Sequence, residues 1–137
     1  MDIALYVNDI TPQCRTVLMV ISELKLKLDV REISLEKKEH LSEEFLKLPI
    51  ILGEDSPITK EKLDGCKEAY SYLDKLLDGK KWLVGKSYTV ADISCVTLAS
   101  SISVLMDMDQ YPNVKTWLKN CEEEIKSYKE WNVPGLK

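Results

Sequence analysis

Residues 90–106 are the stretch that most restricts what this chain can become. The thirteen residues from Ser94 to Met106 carry no charge, and they follow Gly85-Lys86-Ser87-Tyr88-Thr89-Val90-Ala91-Asp92-Ile93. Thr89 is placed to accept a hydrogen bond from the backbone N–H of Asp92, and the Asp92 carboxylate to accept from the N–H of Thr89. This is a reciprocal capping box, with Asp where Glu is more usual. Tyr88 and Ile93, on either side of the cap, suit a hydrophobic staple. A helix over 90–106 would be about 25 Å long. Having no charged face, it is expected to be buried all round by other helices. It is short and hydroxyl-rich for a membrane span of about 20 residues. On residue pattern alone it reads as the core helix of an all-α domain.

The remaining composition bounds the partners. With 137 residues, 45% of them hydrophobic, the chain has enough for one core and buries about two-thirds of its unfolded surface. Its net charge is -4 and its lysines are scattered, so neither nucleic acid nor a membrane is expected as a partner. The start, Met1-Asp2-Ile3-Ala4, lacks the basic segment and apolar run of a signal peptide. Cys14, Cys66, Cys95 and Cys121 form no CxxC pair and no metal-ligand spacing, so no metal is expected. Cys95 falls in the helix expected to be buried, and Cys66 and Cys121 on apolar faces. Reduced core thiols and a cytoplasmic location follow.

Along the chain, Ile3 to Val7 is a run of strand formers, Asn8 to Gln13 is turn-prone, and a helix opens at Cys14 with Val17, Leu18, Val20, Ile21 and Leu24 as its apolar stripe. Leu28 to Arg31 alternates, and Ile33 to Leu35 alternates with the phase slipped by one, which allows a bulge. The unit is strand–helix–strand with parallel strands. Leu41 to Leu48 suits one or two helical turns, Pro49 to Gly53 breaks the pattern, and Glu54 to Pro57 opens a helix. That helix aligns Leu63, Cys66, Tyr70, Leu73 and Leu77 and stops at Gly79. A last helix, opened by Tyr111-Pro112, aligns Val114, Trp117, Leu118, Cys121 and Ile125.

Three stretches together resemble the cytosolic glutathione transferases, nearest to the insect delta and epsilon classes. They are Leu5-Tyr6 through Thr11-Pro12-Gln13-Cys14-Arg15-Thr16-Val17, then Glu39-His40-Leu41-Ser42-Glu43-Glu44-Phe45-Leu46-Lys47-Leu48, and the capping box with Tyr111-Pro112-Asn113-Val114-x-x-Trp117. The resemblance implies an α+β, mostly α fold: residues 1–48 a truncated thioredoxin-like βαβ unit, and residues 49–137 a partial all-α C-terminal bundle. After Leu48 the family continues into a cis-proline loop, an antiparallel strand pair and a long helix. Here Pro49 to Gly53 resembles the far end of that helix, so an internal deletion after Leu48 is expected.

The resemblance also implies the chemistry. Glutathione would be the co-substrate, a hydrophobic electrophile its partner in conjugation, and a homodimer the assembly. Thr11 matches the hydroxyl residue that stabilises the glutathione thiolate, and His40 matches a histidine near the glycyl end of the tripeptide. The alternatives are an ordinary turn threonine for Thr11 and a solvated loop residue for His40. Thr11-Pro12-Gln13-Cys14 looks like a thioredoxin CxxC whose attacking cysteine is replaced, which leaves dithiol exchange without its first thiol. Thr89 and Asp92 are expected to be structural, as is Arg15. The absent segment would carry most of the groups that hold the tripeptide, so either impaired conjugation or a non-catalytic binding module is expected.

Overall fold

The computed structural model describes residues 4–8, 11–34, 37–39 and 60–132. Strand β1 (Ala4–Val7), helix α1 (Pro12–Glu23) and strand β2 (Asp29–Glu32) come first. Helices α2 (Lys60–Leu76), α3 (Val90–Ser103), α4 (Pro112–Glu124) and α5 (Tyr128–Trp131) follow, with a 3-10 turn, Met108–Gln110, before α4. The fold is therefore α+β and mostly α, a short βαβ unit leading into helices, as the sequence implied. His40 and the junction after Leu48 lie outside the described residues.

β1 and β2 pair in parallel from Ala4 opposite Asp29 to Val7 opposite Glu32. All four residues of β2 are exposed, and its ion pair between Arg31 and Asp29 (2.7 Å) is exposed as well, so it adds little stability. The ladder ends with the Ile33 N–H donating to the Val7 carbonyl at 2.8 Å. The slipped alternation in the sequence falls where exposed Val30 gives way to buried Ile33.

Pro12 sits in the first turn of α1 with Thr11 as its N-cap. The helix packs against α3 and buries Arg15, Leu18 and Met19, which share one face at a spacing of three to four residues. Val17 and Leu24 lie outside that face and are exposed, so the expected apolar stripe is corrected to a narrower one.

The larger correction concerns α3. Asp92, Ile93, Val96, Thr97 and Ala99 are buried, yet Cys95 is exposed, Leu98 is 50% exposed and Val90 64%. The helix also ends at Ser103, leaving Val104 and Leu105 exposed in the turn beyond it. α1 and α4 pack against α3, Tyr70 of α2 reaches its Ala99 carbonyl, and Val90, Cys95 and Leu98 stay exposed. The hydroxyls of α3 bond within the helix. Thr97 Oγ1 donates to the Ser94 carbonyl (3.0 Å), Ser101 Oγ to that of Thr97 (2.8 Å) and Ser103 Oγ to that of Ser100 (2.7 Å). Among the cysteines, Cys121 is buried as expected, and burial pushes its thiol pKa far up. All four thiols are free.

The core joins Met19 of α1, Tyr70 of α2, Trp82, Val96 of α3, and Val114, Trp117 and Cys121 of α4. Two carboxylates tie its margins together. Asp74 of α2 caps α4, accepting from the N–H groups of Asn113 (2.8 Å) and Val114 (3.0 Å). Glu23, at the end of α1, accepts from the Ser127 N–H (3.0 Å), the Ser127 hydroxyl (2.8 Å) and the Tyr88 hydroxyl (3.0 Å).

Burial pushes the Glu23 carboxyl up, but the Ser127 and Tyr88 donors and the Lys126 charge outweigh it, leaving its pKa below the ordinary 4.5. A lowered pKa stabilises the fold above the unfolded value, and the contribution is lost as pH falls through the folded one. Urea midpoints measured on either side of about pH 4.5 should therefore fall more steeply in the wild-type chain than in Glu23→Gln. The variant keeps an acceptor but carries no titrating charge.

Candidate functional site

β1 delivers the chain to a turn whose last residue caps α1. The Cys14 N–H donates to Thr11 Oγ1 at 3.4 Å, and the Thr11 hydroxyl donates to the Asn8 carbonyl at 3.3 Å. The half-buried Thr11 hydroxyl thus stands at the carboxyl end of a strand and the N-terminus of a twelve-residue helix, where backbone amides provide a partial positive charge. Asn8 holds the turn in place: its Nδ2 donates to the Ile33 carbonyl at 3.0 Å, and its N–H points at Cys14 Sγ, 3.5 Å away. Nothing in the sequence singled out Asn8, since both of its partners depend on how the strands pair.

Behind the turn, Arg15 is almost fully buried. Its Nη2 donates to the Thr97 carbonyl at 3.2 Å and to Ser101 Oγ, while the Thr16 and Thr97 hydroxyls lie 2.7 Å apart. Arg15 therefore joins α1 to α3, the structural part expected of it. Of the two residues matched to a glutathione site, Thr11 stands in this turn and His40 lies outside the described residues. Among the described residues, no group of three His, Cys, Asp or Glu side chains could hold a metal ion, and no helix is long and apolar enough to cross a membrane.

The capping box closes. Thr89 Oγ1 accepts from the Ala91 N–H at 3.2 Å, and Asp92 Oδ2 accepts from the Thr89 N–H at 2.9 Å and from the Thr89 hydroxyl at 3.2 Å. Asp92 does more than cap. Its Oδ1 takes the Leu83 N–H (3.0 Å) and the Trp117 indole N–H (2.9 Å), so one fully buried carboxylate ties the 80–89 connector, α3 and α4 together. Tyr88 sets its ring edge-on to Trp82 at 5.8 Å, and Ile93 lies in the same apolar cluster.

On the far side of α3 an open groove of about 910 Å³ runs between α2 and α3. Cys66, Ala69, Leu73, Cys95, Leu98 and Ile102 are among the residues that line it. Tyr70 also lines it, with the hydroxyl donating to the Ala99 carbonyl, and burial raises its pKa to about 12.

Comparison with known proteins places this arrangement. The family described as "Glutathione S-transferase, C-terminal domain" matches residues 3–124. Glutathione S-transferase 1 of Manduca sexta is 32% identical over 90 residues, which are 64% of this chain and 41% of that protein. Glutathione S-transferase D7 of Anopheles gambiae is 34% identical over 71 residues, 50% of this chain and 33% of that protein. The chain spans well under half the length of these curated relatives. Among solved structures, a Bombyx mori glutathione transferase superposes with a TM-score of 0.80 at 22% identity, covering 98% of this chain and 94% of that one. A delta-class glutathione transferase of Nilaparvata lugens gives 0.81 at 20%, covering 94% and 92%. The shared architecture and the match over most of the sequence lead to one conclusion: the chain belongs to the glutathione S-transferase family.

Proposed function

We propose that this chain is a weak glutathione transferase in which the Thr11 hydroxyl turns from the Asn8 carbonyl to donate to the sulfur of glutathione. Such a hydrogen bond favours the thiolate over the thiol and lowers the sulfur's pKa. The partial positive charge of the α1 N-terminus acts in the same direction. The thiolate then attacks the electrophilic carbon of a hydrophobic substrate: a C–S bond forms, the leaving group departs with its electron pair, and the thiol proton has already gone to solvent. In this reading residues 1–48 are the partial thioredoxin-like part and residues 49–137 the helical part. His40 lies near the glycyl end of the tripeptide, and the protein works in the cytoplasm as a homodimer.

The observation that carries the reading is the position of Thr11 Oγ1, at the cap of α1 beside the Cys14 N–H. The expected impairment follows from the polar groups a charged tripeptide needs for its desolvation, most of which would belong to the segment deleted after Leu48.

Retention on immobilised glutathione and conjugation of an aromatic halide test the proposal. Thr11→Val should lower turnover about ten-fold, one pKa unit's worth of thiolate, whereas Thr11→Ser should retain it. A wild-type chain with no turnover above buffer, and no glutathione-dependent rise in melting temperature, would remove the catalytic reading. One observation favours the non-catalytic module instead: the Thr11 hydroxyl already donates to a backbone carbonyl.

A further inference from the structure

We infer that Asn8 is the positioning residue of the Thr11 hydroxyl, fixing the turn so that this hydroxyl meets the sulfur of glutathione. This deepens the thiolate reading above and rests on it. Three groups of Asn8 tie down three places. Its N–H points at Cys14 Sγ in the first turn of α1 (3.5 Å). Its carbonyl accepts from the Thr11 N–H (3.4 Å) and from the Thr11 hydroxyl (3.3 Å). Its Nδ2 donates to the Ile33 carbonyl at 3.0 Å. One residue is thus bonded both to the cap of α1 and to the residue that follows β2.

An asparagine that only shapes a turn bonds its own backbone two residues on. The Asn8 amide instead crosses to a residue 25 positions away. β2 is exposed along its whole length, so its own packing fixes the end of β1 poorly. Ile33 is buried and supplies the fixed point: its N–H donates to the Val7 carbonyl at 2.8 Å, and its carbonyl accepts from Asn8. Placement matters, because a displacement of about 1 Å at a reacting group costs on the order of 100-fold in rate. The Asn8 carbonyl also gives the Thr11 hydroxyl a resting acceptor. At 3.3 Å that bond is longer than the roughly 2.8 Å of a good O–H···O bond, so the hydroxyl exchanges it for sulfur at little cost.

Asn8→Ala removes the amide and keeps the backbone, and the half-buried position should leave the fold intact by circular dichroism. The readout is the pH dependence of kcat/KM for an aromatic halide at saturating glutathione, whose acid limb follows ionisation of the bound thiol. In Asn8→Ala the limb should move up by about half to one pH unit, a loss of roughly three- to ten-fold below it. The rate on the alkaline plateau should stay within about two-fold. Asn8→Leu, which keeps the volume without the donor, should repeat this result. Asn8→Ala combined with Thr11→Val should be no slower than Thr11→Val alone, since Asn8 acts only through that hydroxyl. A merely structural Asn8 would lower the melting temperature without moving the limb, and its loss would add to that of Thr11→Val. Either result overturns the inference and leaves the Thr11 reading standing, as does failure of both Asn8 variants to fold. If Thr11→Val also leaves the limb in place, or the wild-type chain shows no turnover, the thiolate reading itself falls and takes Asn8 with it.

Discussion

Asp92→Ala should unfold this protein or bring it close to unfolding, at a cost of about 3 kcal/mol or more. The carboxylate is fully buried and receives hydrogen bonds from the Leu83 N–H, the Thr89 N–H and hydroxyl, and the Trp117 indole N–H. Removing it strands several buried donors at once, and each stranded donor bears its own desolvation penalty of about 1–3 kcal/mol. A small domain has only about 5–15 kcal/mol in total. Asp92→Asn should cost clearly less, because its carbonyl oxygen can still serve Leu83 and Trp117 while its amide, facing Thr89, cannot accept. Urea denaturation followed by far-ultraviolet circular dichroism orders the three proteins. An alanine variant as stable as the wild type would show that the carboxylate does not organise this core.

Trp82→Ala should be nearly as damaging, with a loss of about 3–5 kcal/mol. Trp82 is 2% exposed and follows directly on the turn around Gly79, whose φ of +67° suits glycine. Its ring packs edge-on against Tyr88, and Tyr88 in turn donates to Glu23. The next residue, Leu83, supplies one of the N–H groups bound by Asp92. The indole therefore positions the connector that aligns both carboxylate networks, and its loss should weaken them together. Trp82→Phe, which keeps an aromatic ring against Tyr88, should recover roughly half of the stability. In a double-mutant cycle, Trp82→Ala and Glu23→Gln should be non-additive, since Tyr88 links them.

What could be read in the chain beforehand was what depends on neighbours in sequence. Thr89 and Asp92 stand three residues apart, so their box follows from local spacing. The placement of Thr11 before Pro12 likewise marks a helix start. The contacts that escaped are separated by long stretches of chain: Asp74 capping α4, Glu23 holding Ser127, and Arg15 reaching Thr97 depend on tertiary packing. The open side of α3 escaped for a different reason. Residue chemistry says which surfaces need covering, whereas the number and position of the other elements decide whether they are covered. At the candidate site, Thr11 was legible as a cap, while the supporting part of Asn8 required the strand register.

The bond between Glu23 and Ser127 joins residues 104 positions apart, and this shapes how the protein folds as it is made. While the ribosome is still adding residues, α1 already exists as sequence but has no partner for the carboxylate at its end. Closing so long a loop carries an entropic cost, and in folding from the N-terminus toward the C-terminus this bond forms after Arg15 can already join α1 to α3. Until Ser127 has been made, α1 is held by Arg15 and Tyr88 but lacks the two donors that Ser127 brings to Glu23.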